Sequence, residues 1–224
     1  MNPSKKSLTL QSILDMNRVS TSPLIMPSKV ETLRNQWDSK LLQFYVDFET
    51  VSDLDDDFVD LPSKGGNPMI FMIGCGHLED GEWKFKCFVA DKLDFSEERR
   101  IVVMWLDHME EIKARFVSKE SLPLVIHWSP AEVHNFKSAI DRHLLSEDNL
   151  PNWFDFLGHV MKAEPVIVKN SFGFGLKSVA TSMYKNKIID TVWKDGPVDG
   201  LGAMVGAWWC NSTIKKSGRA LLDV

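Results

Sequence analysis

Two carboxylates stand two residues apart in Tyr45-Val46-Asp47-Phe48-Glu49-Thr50. The run Leu41 to Glu49 is rich in aromatic and branched residues and is bounded by polar sequence, which predicts a strand. In a strand Asp47 and Glu49 project from one face, and Val46 and Phe48 from the other. Neighbouring carboxylates repel, and desolvation worsens the repulsion, so the pair is costly unless a cation lies between them. Hard oxygen ligands at this spacing suit Mg²⁺ or Mn²⁺. The same spacing also describes an exposed strand face beside an acidic loop, here Asp53, Asp55, Asp56, Asp57 and Asp60. The residues alone leave both readings open.

Glu132 divides in the same way. In Ser129-Pro130-Ala131-Glu132, serine as N-cap, proline at the first helical position and glutamate three after the cap form a capping box. A third acidic ligand is the other reading, and a carboxylate bound to metal has fewer lone pairs left for the backbone. Other chemistries find less support. His127, His134 and His143 are too widely spaced for a local zinc motif, Cys75 and His77 have no second pair, and there is no Cys-x-x-Cys. Gly173-Phe174-Gly175-Leu176-Lys177-Ser178 has the outline of a phosphate loop, but Leu176 stands where that motif needs glycine. No Gly-x-Ser-x-Gly elbow nominates a serine nucleophile.

The elements that would position these groups follow from periodicity. Residues 1–40 are predicted to be an N-terminal arm or linker with a short helix near Ser7 to Leu14, broken at Pro23 and Pro27. Residues 41–224 are predicted to be one domain. After the first strand, Met69 to Cys75 and Trp83 to Val89 form a hairpin about an Asp-Gly turn at Asp80 and Gly81. Ile101, Trp105, Met109, Ile112 and Phe116 then mark one face of a long helix, with Glu97 and Glu98 in its first turn, where the helix dipole favours negative charge. Pro123 to His127 is a short buried strand. A helix opened by Ser129 follows, with Val133, Phe136, Ile140 and Leu144 inward. Beyond Pro151, the segment with Trp153, Phe154 and Asp155 leads towards a third helical stretch, and 175–184 and 202–209 read as helices. Hairpin strands, a crossover helix and a parallel strand, then a helix and a possible fifth strand, make an α/β mixed sheet flanked by helices, and a right-handed crossover sets the fourth strand beside the first.

The chain has 224 residues, 44% hydrophobic and 25% charged, which is enough for a buried core. No apolar run approaches the roughly 18 residues of a membrane span, so no membrane partner is expected. The start lacks the apolar stretch of a secretory signal. Three scattered cysteines read as reduced thiols, and the expected location is intracellular, cytoplasmic or nuclear. The formal net charge of −5 removes the strongly basic signature of a phosphate binder. It does not exclude a nuclease that concentrates carboxylates around metal.

Taken together, Tyr45-Val46-Asp47-Phe48-Glu49-Thr50 and Val125-Ile126-His127-Trp128-Ser129-Pro130-Ala131-Glu132 resemble the first two motifs of the DEDD-type 3′–5′ exonucleases of the ribonuclease H-like fold. Glutamate in place of the commoner aspartate in the second motif, after a strand ending in histidine, resembles the YprB-like branch of predicted nucleases. So do Trp153-Phe154-Asp155 and the stretch Ser171 to Ala180. The resemblance covers about residues 41–224. It implies hydrolysis of DNA or RNA phosphodiesters, single-stranded substrate, and two Mg²⁺ or Mn²⁺ ions held by Asp47, Glu49 and Glu132. Asp155 would be a supporting group or further ligand, and His127, Trp128 and Lys177 would contact the nucleic acid. The family's final acidic residue, in a Tyr-Asn-x-x-Asp-like setting on a last helix, has no counterpart before Val224, and Asp223 is followed by no helix. The expectation is therefore a piece of a longer parent protein, with an apolar face near Ala203, Val205 and Trp208 left uncovered. The alternative is a non-catalytic ribonuclease H-like module that binds nucleic acid or a protein partner.

Overall fold

A computed structural model describes residues 4–19, 21–38, 41–53, 61–62, 66–116, 122–146, 150–191 and 200–217, with side chains to 211. Asp55, Asp56, Asp57, Asp60 and Asp223 lie outside the described residues. In chain order the elements are α1 (Lys5–Arg18), β1 (Ile25–Met26), α2 (Arg34–Trp37), β2 (Gln43–Val51), β3 (Met69–Glu79), β4 (Glu82–Val89), α3 (Phe95–Arg115), β5 (Leu124–His127), α4 (Ala131–His143), β6 (Asn152–Asp155), a π-helical turn (Leu157–Met161), β7 (Ile167–Val168), α5 (Leu176–Lys185) and α6 (Gly200–Ser217). They group into two compact units: residues 40–154 with 196–224, and residues 1–39 with 155–195.

The first unit holds a five-stranded sheet in the order β4-β3-β2-β5-β6. β2 and β3 are antiparallel, with Asp47 opposite Gly74 and Glu49 opposite Met72. β3 and β4 form the expected hairpin, closed by Asp80 (φ 52°) and Gly81 (φ 80°). Positive φ at both central positions matches the right-handed twist of the strands. β5 runs parallel to β2, with Gln43 opposite Leu124 and Tyr45 opposite Ile126. The crossover between them is α3, so the α/β mixed sheet flanked by helices and the adjacency of these two strands are as the sequence predicts.

The core lies on the face of Phe44, Val46 and Phe48, where α3 contributes Ile101, Val102, Trp105, Met109 and Ile112. α4 adds Phe136, Ala139 and Ile140. Phe48 meets Trp105 edge-on at 5.3 Å, and Trp105 meets Phe136 likewise at 5.6 Å. Each such pair contributes about 0.5–1.5 kcal/mol beyond its area burial. α3 starts at Asp94, whose carboxylate accepts the Glu97 N–H at 2.9 Å.

Glu98 departs from its expected role at a helix end. It is 0% exposed. Its Oε1 accepts the Ile70 N–H at 2.7 Å, and its Oε2 accepts from Arg142 Nη1 at 2.5 Å and His143 Nε2 at 2.7 Å. Arg142 also donates to the carbonyls of Asn67 and Pro68 at 3.0 and 3.3 Å. One carboxylate thus ties α3, the last turn of α4 and the entry to β3. After Pro151, Asn152–Asp155 is extended as β6, the fifth strand that the element order offers, and a π turn follows it.

α6 is longer than the 202–209 stretch expected. Ala203, Ala207 and Asn211 are buried at helical spacing, and Asn211 Oδ1 accepts the Leu93 N–H at 3.2 Å. Ala203 and Trp208 pack against the core while Val205 is 49% exposed, so these three do not form one uncovered face. Val205 is two residues from both Ala203 and Ala207, a separation that points it to the opposite side of a 3.6-residue turn.

In the second unit α1 runs through 14 residues, well beyond Ser7 to Leu14. β1 pairs antiparallel with β7, Ile25 opposite Val168. Ile13, Met16 and Ile167 form a small core with Phe174 against it. Asn17 Oδ1 accepts the Asn170 N–H at 2.6 Å, and Asn186 Nδ2 donates to the Lys169 carbonyl at 2.7 Å. Segments far apart in sequence are joined here by their own small core and by side-chain amides.

Candidate metal centre

Asp47 and Glu49 lie on one face of β2, the central strand of the sheet. Asp47 is exposed and Glu49 half-buried. The facing residue on β3, Gly74, keeps that face low beside Asp47. A side chain there would meet the Phe85 ring at 3.3 Å and the Asp47 carbonyl at 3.8 Å. The strand pairing shifts by one residue between Glu49 and Thr50. Such a bulge bends the strand and re-aims its side chains. α6 begins close by: a Cβ on Gly200 would stand 3.9 Å from Glu49 Oε2. A helix start offers partial positive charge to a carboxylate.

Glu132 sits in the first turn of α4, directly after β5, and its side chain is 10% exposed. The capping box does not form as expected. The helix begins at Ala131 with Pro130 as its cap and no side-chain cap bond. Ser129 Oγ instead donates to Glu132 Oε2 at 3.3 Å and lies 3.4 Å from the Ala131 N–H. His127 Nδ1 bonds the Ser129 carbonyl and is 3.6 Å from Glu132 Oε2.

His127 is only 2% exposed in its side chain and meets Trp153 edge-on at 5.4 Å. A ring so enclosed does not fit the expected contact with nucleic acid. Its place on the inner face beside Val125, two residues back on β5, explains the burial. Trp128 is half-buried in the turn that follows. Asp155 ends β6 and accepts the Gly158 N–H at 2.9 Å, which supports the π turn. Asp155 and Lys177, an exposed residue in the first turn of α5, both belong to the second unit.

Among the described residues no group of three or more His, Cys, Asp or Glu side chains is gathered closely enough to hold a metal ion. Asp47 and Glu49 share one face of β2, and Glu132 stands just past the end of β5, the strand that runs parallel beside β2. The donor set itself, three carboxylates, fits Mg²⁺ or Mn²⁺. The burial of Glu98, which the sequence reads only as a first-turn charge, could have been found: at three and seven residues before Ile101 and Trp105 it falls on the buried stripe of α3.

Among the described residues no helix is long and apolar enough to cross a membrane. Compared with models of known protein families and with curated proteins, the chain matches none.

Proposed function

We propose that the sheet unit is a metal-dependent nuclease domain of ribonuclease H-like fold, related to the DEDD-type exonucleases and their YprB-like branch. One observation carries this reading: β5 runs parallel beside β2. The Asp47–Glu49 pair and the β5–α4 junction that bears Glu132 therefore leave neighbouring strands towards the same end of the sheet. Asp47, Glu49 and Glu132 would hold two Mg²⁺ or Mn²⁺ ions, which supply an activated water and stabilise the leaving 3′-oxygen. Water adds to phosphorus, the P–O3′ bond breaks, and the products are a 5′-phosphate and a 3′-hydroxyl. The chain's own part is to place three carboxylates and to exclude water behind them with the Phe48, Trp105 and Trp153 cluster. The substrate class is single-stranded DNA or RNA, the setting intracellular.

A second reading, a non-catalytic module of the same fold that binds nucleic acid or protein, is favoured by one specific feature. α6 packs on β2 and starts beside Glu49, yet Gly200–Ser217 contains no Asp or Glu. The helix placed to complete a carboxylate centre brings none. The test is shortening of 5′-labelled single-stranded DNA and RNA by the wild type and Glu132→Gln in Mn²⁺. The nuclease reading expects stepwise loss from the 3′ end in the wild type alone. Binding without shortening supports the second reading, and equal shortening by Glu132→Gln would remove Glu132 from the centre.

A further inference from the structure

We infer that His127 is a positioning residue, which holds the turn between β5 and α4 so that Glu132 presents one fixed carboxylate oxygen outward. The inference rests on the metal-centre reading of Glu132. His127 is the last residue of β5, and its ring is anchored on the core side by Trp153, which itself packs against Trp105 and Phe136. From that anchor Nδ1–H reaches the Ser129 carbonyl, which fixes the backbone of the turn. A hydrogen bond at Nδ1 also settles which ring nitrogen carries the proton. The same nitrogen lies 3.6 Å from Glu132 Oε2, and Ser129 Oγ lies 3.3 Å from that oxygen.

Both contacts fall on Oε2, so Oε1 is the oxygen turned away from the His127–Ser129 pair. A carboxylate held by one oxygen keeps the other in a defined direction. Groups that orient a metal ligand in this way change metal affinity by about 10–100-fold when removed. The chemistry needs a donor at the Nδ1 position. Asparagine supplies one there, glutamine supplies one a bond further out, and leucine supplies none.

The experiment compares wild type, His127→Asn, His127→Gln and His127→Leu by two readouts. The first is the ¹³C resonance of the Glu132 carboxyl in metal-free protein, assigned by its loss in Glu132→Gln. The second is Mn²⁺ affinity by calorimetry. The expected result is a Glu132 signal near its wild-type position in His127→Asn and displaced in His127→Leu, with Mn²⁺ affinity about 10–100-fold lower in the leucine variant and largely restored by asparagine. Should His127→Leu fail to fold, asparagine against glutamine decides: equal signals and equal affinities overturn the inference. An unmoved Glu132 signal in a folded His127→Leu overturns it too. If the wild type takes up no Mn²⁺, the metal-centre reading fails separately, and the carboxyl resonance still reports whether His127 positions Glu132.

Discussion

Replacing Glu98 by Gln should loosen the packing that carries Glu132, although the two residues sit on different helices. Glu98 is fully buried and accepts three donors on two oxygens: Ile70 N–H, Arg142 and His143. Glutamine keeps one acceptor for Ile70 but turns an N–H₂ towards two other donors. Each hydrogen bond to a charged group contributes about 1.5–3 kcal/mol, and removing one partner of a buried ion pair costs about 3–5 kcal/mol. The two figures describe the same loss and are not summed. The expected destabilisation is therefore about 3–5 kcal/mol, a large part of the roughly 5–15 kcal/mol that holds a domain folded. Urea unfolding followed by the fluorescence of Trp105 and Trp153, both in the affected core, gives the value. Arg142→Met added to Glu98→Leu should recover much of the loss, because it removes both charges together. A loss below about 1 kcal/mol in Glu98→Gln, outside the range expected for a broken buried pair, would refute the clamp.

Asp47→Asn should leave metal-free thermal stability unchanged or raised, since it relieves repulsion with Glu49, while Mn²⁺ affinity falls at least about tenfold; a variant that unfolds yet binds Mn²⁺ normally would mark Asp47 as structural. His77 should make the fold acid-sensitive. Its ring is buried, both ring nitrogens lack hydrogen-bond partners among the described residues, and burial holds its pKa below the ordinary value, with Glu79 opposing in part. Such an imidazole binds fewer protons folded than unfolded, so its contribution is complete above about pH 6.5 and is lost as the pH falls through that value. The drop in melting temperature between pH 7.5 and pH 5 should be smaller in His77→Leu; an equal drop would place the sensitivity elsewhere. Gly76→Ala should push the Trp83 ring off β3, since a Cβ there would come within 2.0 Å of it. A red shift of tryptophan emission with a cost of about 1–3 kcal/mol or less is expected, and unchanged emission would contradict the packing.

The parts of the fold governed by local pattern were legible in the sequence. Asp80-Gly81 marks the hairpin because only a few residue types accept positive φ at that turn. The spacing Ile101, Trp105, Met109, Ile112 marks the buried stripe of α3 because burial and the 3.6-residue period coincide there. What required the structure was set by contacts between distant segments. Ser129-Pro130-Ala131-Glu132 reads as a capping box, but the serine hydroxyl donates to the glutamate carboxylate and no side-chain cap bond forms. Ala203, Val205 and Trp208 are all apolar, whereas the turn of the helix sets the exposed Val205 away from the buried Ala203. Nothing local announces that Gly200 begins a helix beside Glu49, or that Arg142 and His143 close on Glu98 from another helix. The carboxylates of the candidate site were visible as residue types at a spacing. The groups that hold Glu132 in place were not.

The central claim, that Asp47, Glu49 and Glu132 act together as ligands of divalent cations, is tested most directly by calorimetric titration of Mn²⁺ into the wild type, Asp47→Asn, Glu49→Gln and Glu132→Gln. The account predicts saturable uptake by the wild type and an affinity reduced about tenfold or more in each single variant, since each removes a ligand charge from the same site. No uptake by the wild type up to millimolar Mn²⁺, or uptake that all three substitutions leave unchanged, would contradict it.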